Sequence, residues 1–119
     1  MTANKRTVNR YLEAFSKSDY QGILSCLADD IIWEIPGVYR KTGKEAFAFN
    51  LENSNFSENP TIAITRIIEE GNVVMAEGTM VVKTKDAGLI DVAFCDVFTM
   101  KEEKIDHIII YIADKSGAK

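Results

Sequence analysis

A chain of 119 residues, 46% hydrophobic and 27% charged, has the size of one globular domain with one core and leaves no room for a second. The formal net charge of -4 comes from acids and bases interspersed along the chain without a basic block or basic helical face, which argues against nucleic acid as a partner. The longest apolar run, Ile108 to Ala113, is far short of the roughly 20 residues of a membrane helix, and Met1 to Arg6 lack the apolar stretch of a signal peptide, so no membrane partner and a cytoplasmic location are expected.

In chain order, Val8, Tyr11, Leu12 and Phe15 follow the i, i+3, i+4, i+7 spacing of one helical face and predict a first helix. Ser18 and Gln21 have capping-box spacing, and a second helix from about Asp19 would bury Ile23, Leu24 and Leu27 and stop before Asp29-Asp30, acids that the helix dipole disfavours at a C-terminus. Ile31 to Ile35 read as a short strand ended by Pro36-Gly37. Thr42 and Glu45 repeat the capping-box spacing ahead of a third helix carrying Ala46, Phe47, Phe49 and Leu51, and Asn50 to Asn59 read as a loop closed by Pro60. From Thr61 the period becomes that of strands. Thr61 to Glu69 and Val73 to Thr84 flank a Gly71-Asn72 hairpin turn, and Leu89 to Met100 and Lys104 to Ile112 flank Lys101-Glu102-Glu103. Helices first and strands afterwards predict an α+β fold with an antiparallel sheet.

Ile90, Val92, Phe94, Asp96, Phe98 and Met100 share one face of the strand that contains them, and Asp96 is the exception among apolar neighbours. An aspartate between two phenylalanines loses hydration, which raises its pKa unless donors or cations compensate, so Asp96 is a site candidate as much as a structural carboxylate. Tyr11, on the buried helical stripe, needs a partner for its hydroxyl, and Asp96 could provide one. Glu77 is a weaker candidate for the pocket side of its strand, because the register Met75, Glu77, Thr79, Val81 is ambiguous and a solvated face is the favoured reading. Glu34 is expected to point away from the core, and His107, the single histidine, reads as a surface or dimer-face residue. Cys26 and Cys95 lack a CxxC partner or adjacent histidine and read as reduced, small hydrophobes. There is no phosphate loop, zinc spacing or GxSxG elbow, so neither metal nor cofactor is expected.

Tyr11-Leu12-Glu13-Ala14-Phe15, Asp19 to Leu24, Leu27 to Asp30, Trp33-Glu34-Ile35-Pro36-Gly37, Gly43 to Phe47, and Phe94-Cys95-Asp96-Val97-Phe98 with Lys104-Ile105 together resemble SnoaL-like and ketosteroid-isomerase-like proteins of the nuclear-transport-factor-2-like superfamily. The resemblance covers nearly the whole chain. It implies a cone-shaped, curved antiparallel sheet, covered on its concave face by about three N-terminal helices around an apolar pocket. It also places Tyr11 and Asp96 at the isomerase's oxyanion-hole positions, a role for which ketosteroid isomerase is the established example. The isomerase's basic aspartate corresponds here to Ile35, which cannot accept a proton. Limonene-epoxide-hydrolase-like proteins use an arginine and two aspartates, but the matching strand here reads Glu77-Gly78-Thr79-Met80. Nor does the region of Asp106 and His107 match the acid-base groups of a SnoaL-like polyketide cyclase.

These readings lead to a homodimeric pocket protein for a small, largely apolar molecule, with Tyr11 and Asp96 at its polar end. The expected lining is Phe15 and Phe47 from helices, Trp33 and Ile35 from the first strand, and Ile90, Phe94, Phe98, Ile108 and Ile110 from the later strands. Ala93, Cys95, Val97, Ile109 and Tyr111, on the opposite face, would form the dimer contact. An isomerase or cyclase with Tyr11, Asp96 and a base such as Glu77 is the enzymatic alternative. A non-catalytic protein-interaction subunit is the third.

Overall fold

The computed structural model describes residues 1–115. Three helices, α1 (Ala3–Ser16), α2 (Tyr20–Ser25) and α3 (Lys44–Glu52), are combined with six strands, β1 (Leu27–Ile35), β2 (Tyr39–Thr42), β3 (Thr61–Glu70), β4 (Val73–Lys83), β5 (Leu89–Lys101) and β6 (Lys104–Asp114). The strands form one curved, unclosed sheet in the order β2-β1-β6-β5-β4-β3. The nuclear-transport-factor-2-like fold expected from the sequence is present, with one refinement: β1 runs parallel to β6, so the sheet is mixed. That pairing needs a long crossover, and β2, α3 and the β3-β4-β5 meander supply it.

The Thr2 side chain caps α1 by accepting from the Lys5 amide. The Thr7 hydroxyl, on the buried side of α1, donates to the Glu103 carbonyl at 2.9 Å and ties the helix to the β5–β6 turn. At α2 the cap is Asp19, whose carboxylate accepts from the Gly22 amide at 3.0 Å, and not Ser18. The helix stops at Ser25, and Leu27, Asp29 and Asp30 belong to β1. The two acids are tolerated because the β1–β6 register slips between Leu27 and Ile32, leaving an exposed bulge in which they meet water. Gly43, with φ 104°, occupies the N-cap of α3 without a side-chain hydrogen bond, so the Thr42–Glu45 capping box does not form.

Strand β2 is absent from the sequence reading. Tyr39-Arg40-Lys41-Thr42 is too short and too polar to show a period, yet Ile35-Pro36-Gly37-Val38 folds it back on β1. The Val38 amide donates to the Ile35 carbonyl at 2.9 Å, and Gly37 takes φ 82°, the positive value that a Pro-Gly type II turn requires. The hairpins at Gly71-Asn72 and Glu102-Glu103 form where they were expected.

The core lies between the helices and the concave face of the sheet. Val8, Tyr11 and Leu12 of α1, Ile23 of α2 and Phe47 and Leu51 of α3 pack against Ile31, Trp33, Val74, Ala76, Phe98, Ile105 and Ile108. No helix among the described residues is long and apolar enough to cross a membrane.

Candidate functional site

Between the helices and the sheet the core opens into a cavity of about 580 Å³. Eight of the chain's eleven aromatic residues line it, contributed by α1, α2, α3, β1, β2, β5 and the loop after α3. Trp33 and Phe47 meet with ring centroids 4.7 Å apart, and Tyr11 packs edge-on to Phe98 at 5.5 Å and against Phe15 at 6.0 Å. These contacts make the inner wall rigid and apolar. The outer rim is amide- and hydroxyl-rich, with Asn53, Ser54, Asn55, Ser57 and Asn59 from the loop that follows α3.

Asp96 projects into this cavity from the middle of β5. Its cross-strand neighbours are Ala76 on β4 and Ile110 on β6, and Phe94 and Phe98 flank it on its own strand. The residue is 8% exposed, and its Oδ1 is the one fully buried side-chain polar atom among the described residues that has no hydrogen-bond partner. Burial alone therefore acts on it and raises its pKa to about 7. Burial raises the Tyr11 phenol well above its ordinary value, and the nearby Asp96 charge raises it further, with smaller contributions from Tyr39 and Cys26. The expected Tyr11–Asp96 hydrogen bond is not formed; the packing of the Tyr11 ring against Phe98 and Phe15 sets its direction, and the two groups are coupled by charge across the cavity.

The structure sorts the other candidates. Phe15, Trp33, Ile35, Phe47, Phe94 and Ile110 line the cavity. Phe98 and Ile108, both 0% exposed, pack solidly beneath it instead of lining it. Ile90 faces the same side of β5 but lies beyond the lining residues, opposite Val82 toward the far end of the strand. Glu77 is on the outer face, where it meets the Arg66 guanidinium at 2.7 Å, because Val74, Ala76 and Val82 take the inward positions of β4. It cannot act in the cavity. Tyr39 and Tyr20 were missed as lining residues: the first sits on the unrecognised β2, and the second opens a helix of only six residues.

Glu34 points outward as expected, and His107 has a carboxylate partner that the sequence did not reveal. His107 Nε2 lies 2.9 Å from Glu34 Oε2, and Arg40 Nη1 lies 3.3 Å from the same oxygen. The group pins β2, β1 and β6 together on the convex face, away from the cavity. Cys26 and Cys95 are free thiols, and burial pushes the Cys95 thiol above its ordinary value, the opposite of what a nucleophile needs. Among the described residues no three His, Cys, Asp or Glu side chains come together in metal-binding geometry.

Solved structures share this fold. An LEH-like epoxide hydrolase from M. tuberculosis superposes with a TM-score of 0.82 at 23% identity, over 93% of this chain and 83% of that one. An NTF2-like protein of unknown function from Burkholderia pseudomallei gives 0.82 at 22% identity, over 95% and 92% of the two chains. A putative SnoaL-like polyketide cyclase from Shewanella putrefaciens gives 0.80 at 16% identity, over 94% and 80%. At these identities the likeness is one of fold. No curated protein matches the chain. The model of the SnoaL-like domain matches residues 8–108, most of the sequence, and the chain belongs to the SnoaL-like domain family.

Proposed function

We propose that this chain is a small-molecule pocket protein that holds one largely apolar ligand, with Asp96 and Tyr11 bonding to its polar end, and that it works as a homodimer. The observation that carries the reading is the unpartnered Oδ1 of a buried aspartate inside an aromatic cavity. A buried polar atom without a partner costs free energy on the order of 1–3 kcal/mol. A ligand that supplied the partner would recover part of that cost on binding. The volume falls within the roughly 300–1,000 Å³ common for small-molecule sites. Native mass spectrometry of the purified chain, followed by calorimetric titration with neutral and charged apolar probes, tests the reading. Saturable one-to-one binding, lost when Ile112→Trp fills the open side of the cavity, supports it. No saturable heat with any probe removes it.

The shared placement of Tyr11 and Asp96 favours a second reading, an isomerase or cyclase in which both groups hold an enolate oxygen. It is the weaker one, because Ile35 stands where an isomerase keeps its base and Glu77 lies outside the cavity. Exchange of the α-protons of a bound ketone with deuterated solvent, followed by NMR, separates the two. Exchange that is accelerated by the chain and lost in Tyr11→Phe supports enzyme chemistry, and an unchanged exchange rate supports binding alone.

A further inference from the structure

The charges around Asp96 are one-sided. The Tyr11 phenol of α1, the Tyr39 phenol of β2 and the Cys95 thiol beside it on β5 all sense its charge, and the Tyr20 phenol of α2 lines the same cavity. β1, β4, β6 and α3 present Trp33, Ile35, Ala76, Ile110, Phe47, Asn50 and Leu51, none of which titrates near neutral pH. The loop after α3 adds Glu58 at the rim, a second acid, which accepts from the Lys83 amide at 3.2 Å. Among the described residues no lysine, arginine or histidine lines the cavity. A carboxyl so placed has no cation among the described residues to neutralise it, and aromatic rings carry the negative π faces that attract cations. An anionic ligand would meet two acids and no base.

We propose that the cavity takes a lipophilic amine, its ammonium group paired with the Asp96 carboxylate and its apolar body held among the aromatic walls. This rests on the pocket reading above and chooses the ligand's charge. Ala76, directly across from Asp96, sets no charged or polar side chain against the carboxyl, and an ammonium group in the cavity would give that carboxyl the donor it lacks. The pH dependence carries a sign that distinguishes this ligand from a neutral one. Pairing with an ammonium needs the ionised carboxylate, so amine affinity falls as pH drops through the Asp96 titration near 7. A ketone or alcohol that accepts from the protonated acid shows the reverse, weakening as pH rises.

Calorimetric titration of the full chain with 4-phenylbutylamine, 4-phenylbutan-1-ol and 4-phenylbutanoate tests the proposal, with Trp33 fluorescence as a second readout from the cavity wall. At pH 8 the amine is expected to bind at least about tenfold more tightly than the alcohol, and the carboxylate more weakly than either. Between pH 6.5 and 5 the amine should lose up to about tenfold per pH unit. In Asp96→Asn, which keeps the shape and removes the charge, the preference for amine over alcohol should collapse to within about threefold. Alcohol binding equal to or tighter than amine at pH 8, or an amine preference that survives in Asp96→Asn, overturns the amine inference and leaves the pocket reading standing. Absence of saturable binding by all three probes overturns both.

Discussion

A carboxylate that exchanges water for the flank of two phenylalanines is destabilised relative to its protonated form, and among the described residues no donor or cation offsets that loss at Asp96. The folded pKa, about 7, lies above the unfolded value of 3.8, so between them the native chain holds a proton that the unfolded chain has released. Its contribution to stability is therefore fully present below about pH 4 and is lost progressively as pH rises through 7, a change on the order of 4 kcal/mol if the whole shift acts. Asp96→Asn removes this slope. The stability of the variant relative to the parent should rise by about 2–3 kcal/mol between pH 5 and pH 8.5. Urea unfolding at the two pH values measures the difference, and an equal stability gap at both would show that the carboxyl titrates normally. Phe98 poses a purely steric case. It is 0% exposed and packed against Tyr11, so Phe98→Ala should cost about 3–5 kcal/mol in the same assay, and a loss under 1 kcal/mol would place its ring at the surface.

Local backbone geometry governs the elements, and some of it runs against residue preference. The β5–β6 turn places Glu102 at φ 52° and Glu103 at φ 65°, the paired positive angles of a type I′ hairpin turn, which asparagine and glycine adopt far more readily. Replacing the pair with Asn-Gly should raise stability by about 1–2 kcal/mol, with the Thr7 contact kept because it uses only a backbone carbonyl. A thermal midpoint that stayed the same or fell would show that the turn is not strained. Gly78 is the converse: an added Cβ would lie 2.3 Å from the Ala63 carbonyl oxygen and 3.1 Å from the Phe94 ring, so Gly78→Ala should force β3 off β4 at the bulge and lower the midpoint. The same distinction explains what could be read from sequence. Helix α1 and β3 through β6 were legible because a 3.6-residue period marks the helix, long β-branched and aromatic runs bounded by turn residues mark the strands, and the inward face of β5 keeps a 2-residue period from Ile90 to Met100. The β1 bulge and β2 were not, since a register slip erases the period and four mostly polar residues never establish one. Asp96 was legible as a polar break in an apolar face, whereas the side taken by Glu77 was ambiguous in sequence because β4 carries apolar residues on both faces, and the structure puts it on the solvated one. The His107–Glu34 pair joins residues 73 positions apart through a parallel pairing that no local pattern announces.

At the scale of the whole molecule, the concave face of the sheet is occupied by the helices and the convex face is bare. Ile109, Val97, Met75 and Ile68 are direct cross-strand partners on β6, β5, β4 and β3, and together they make one apolar row across four strands. Met75 is 41% exposed, Ile68 53% and the neighbouring Tyr111 51%. Continuous apolar surface of this kind is the usual mark of an interface, whereas isolated exposed hydrophobes are not. The row is flanked by the Arg66–Glu77 pair on one side and the Glu34–His107–Arg40 group on the other, so the face carries both signs of charge and a second copy turned by a two-fold axis could match acid to base. A sheet face of this width is large enough to contribute the roughly 800 Å² per partner of a standard interface. Light scattering at micromolar concentration is therefore expected to return twice the 13.3 kDa chain mass. Substituting lysine for both Met75 and Ile68, which are exposed and leave the core intact, should yield a folded monomer by placing like charges in the middle of the contact. A parent that scatters as a monomer rules out the dimer, and a double variant that stays dimeric moves the contact to another face.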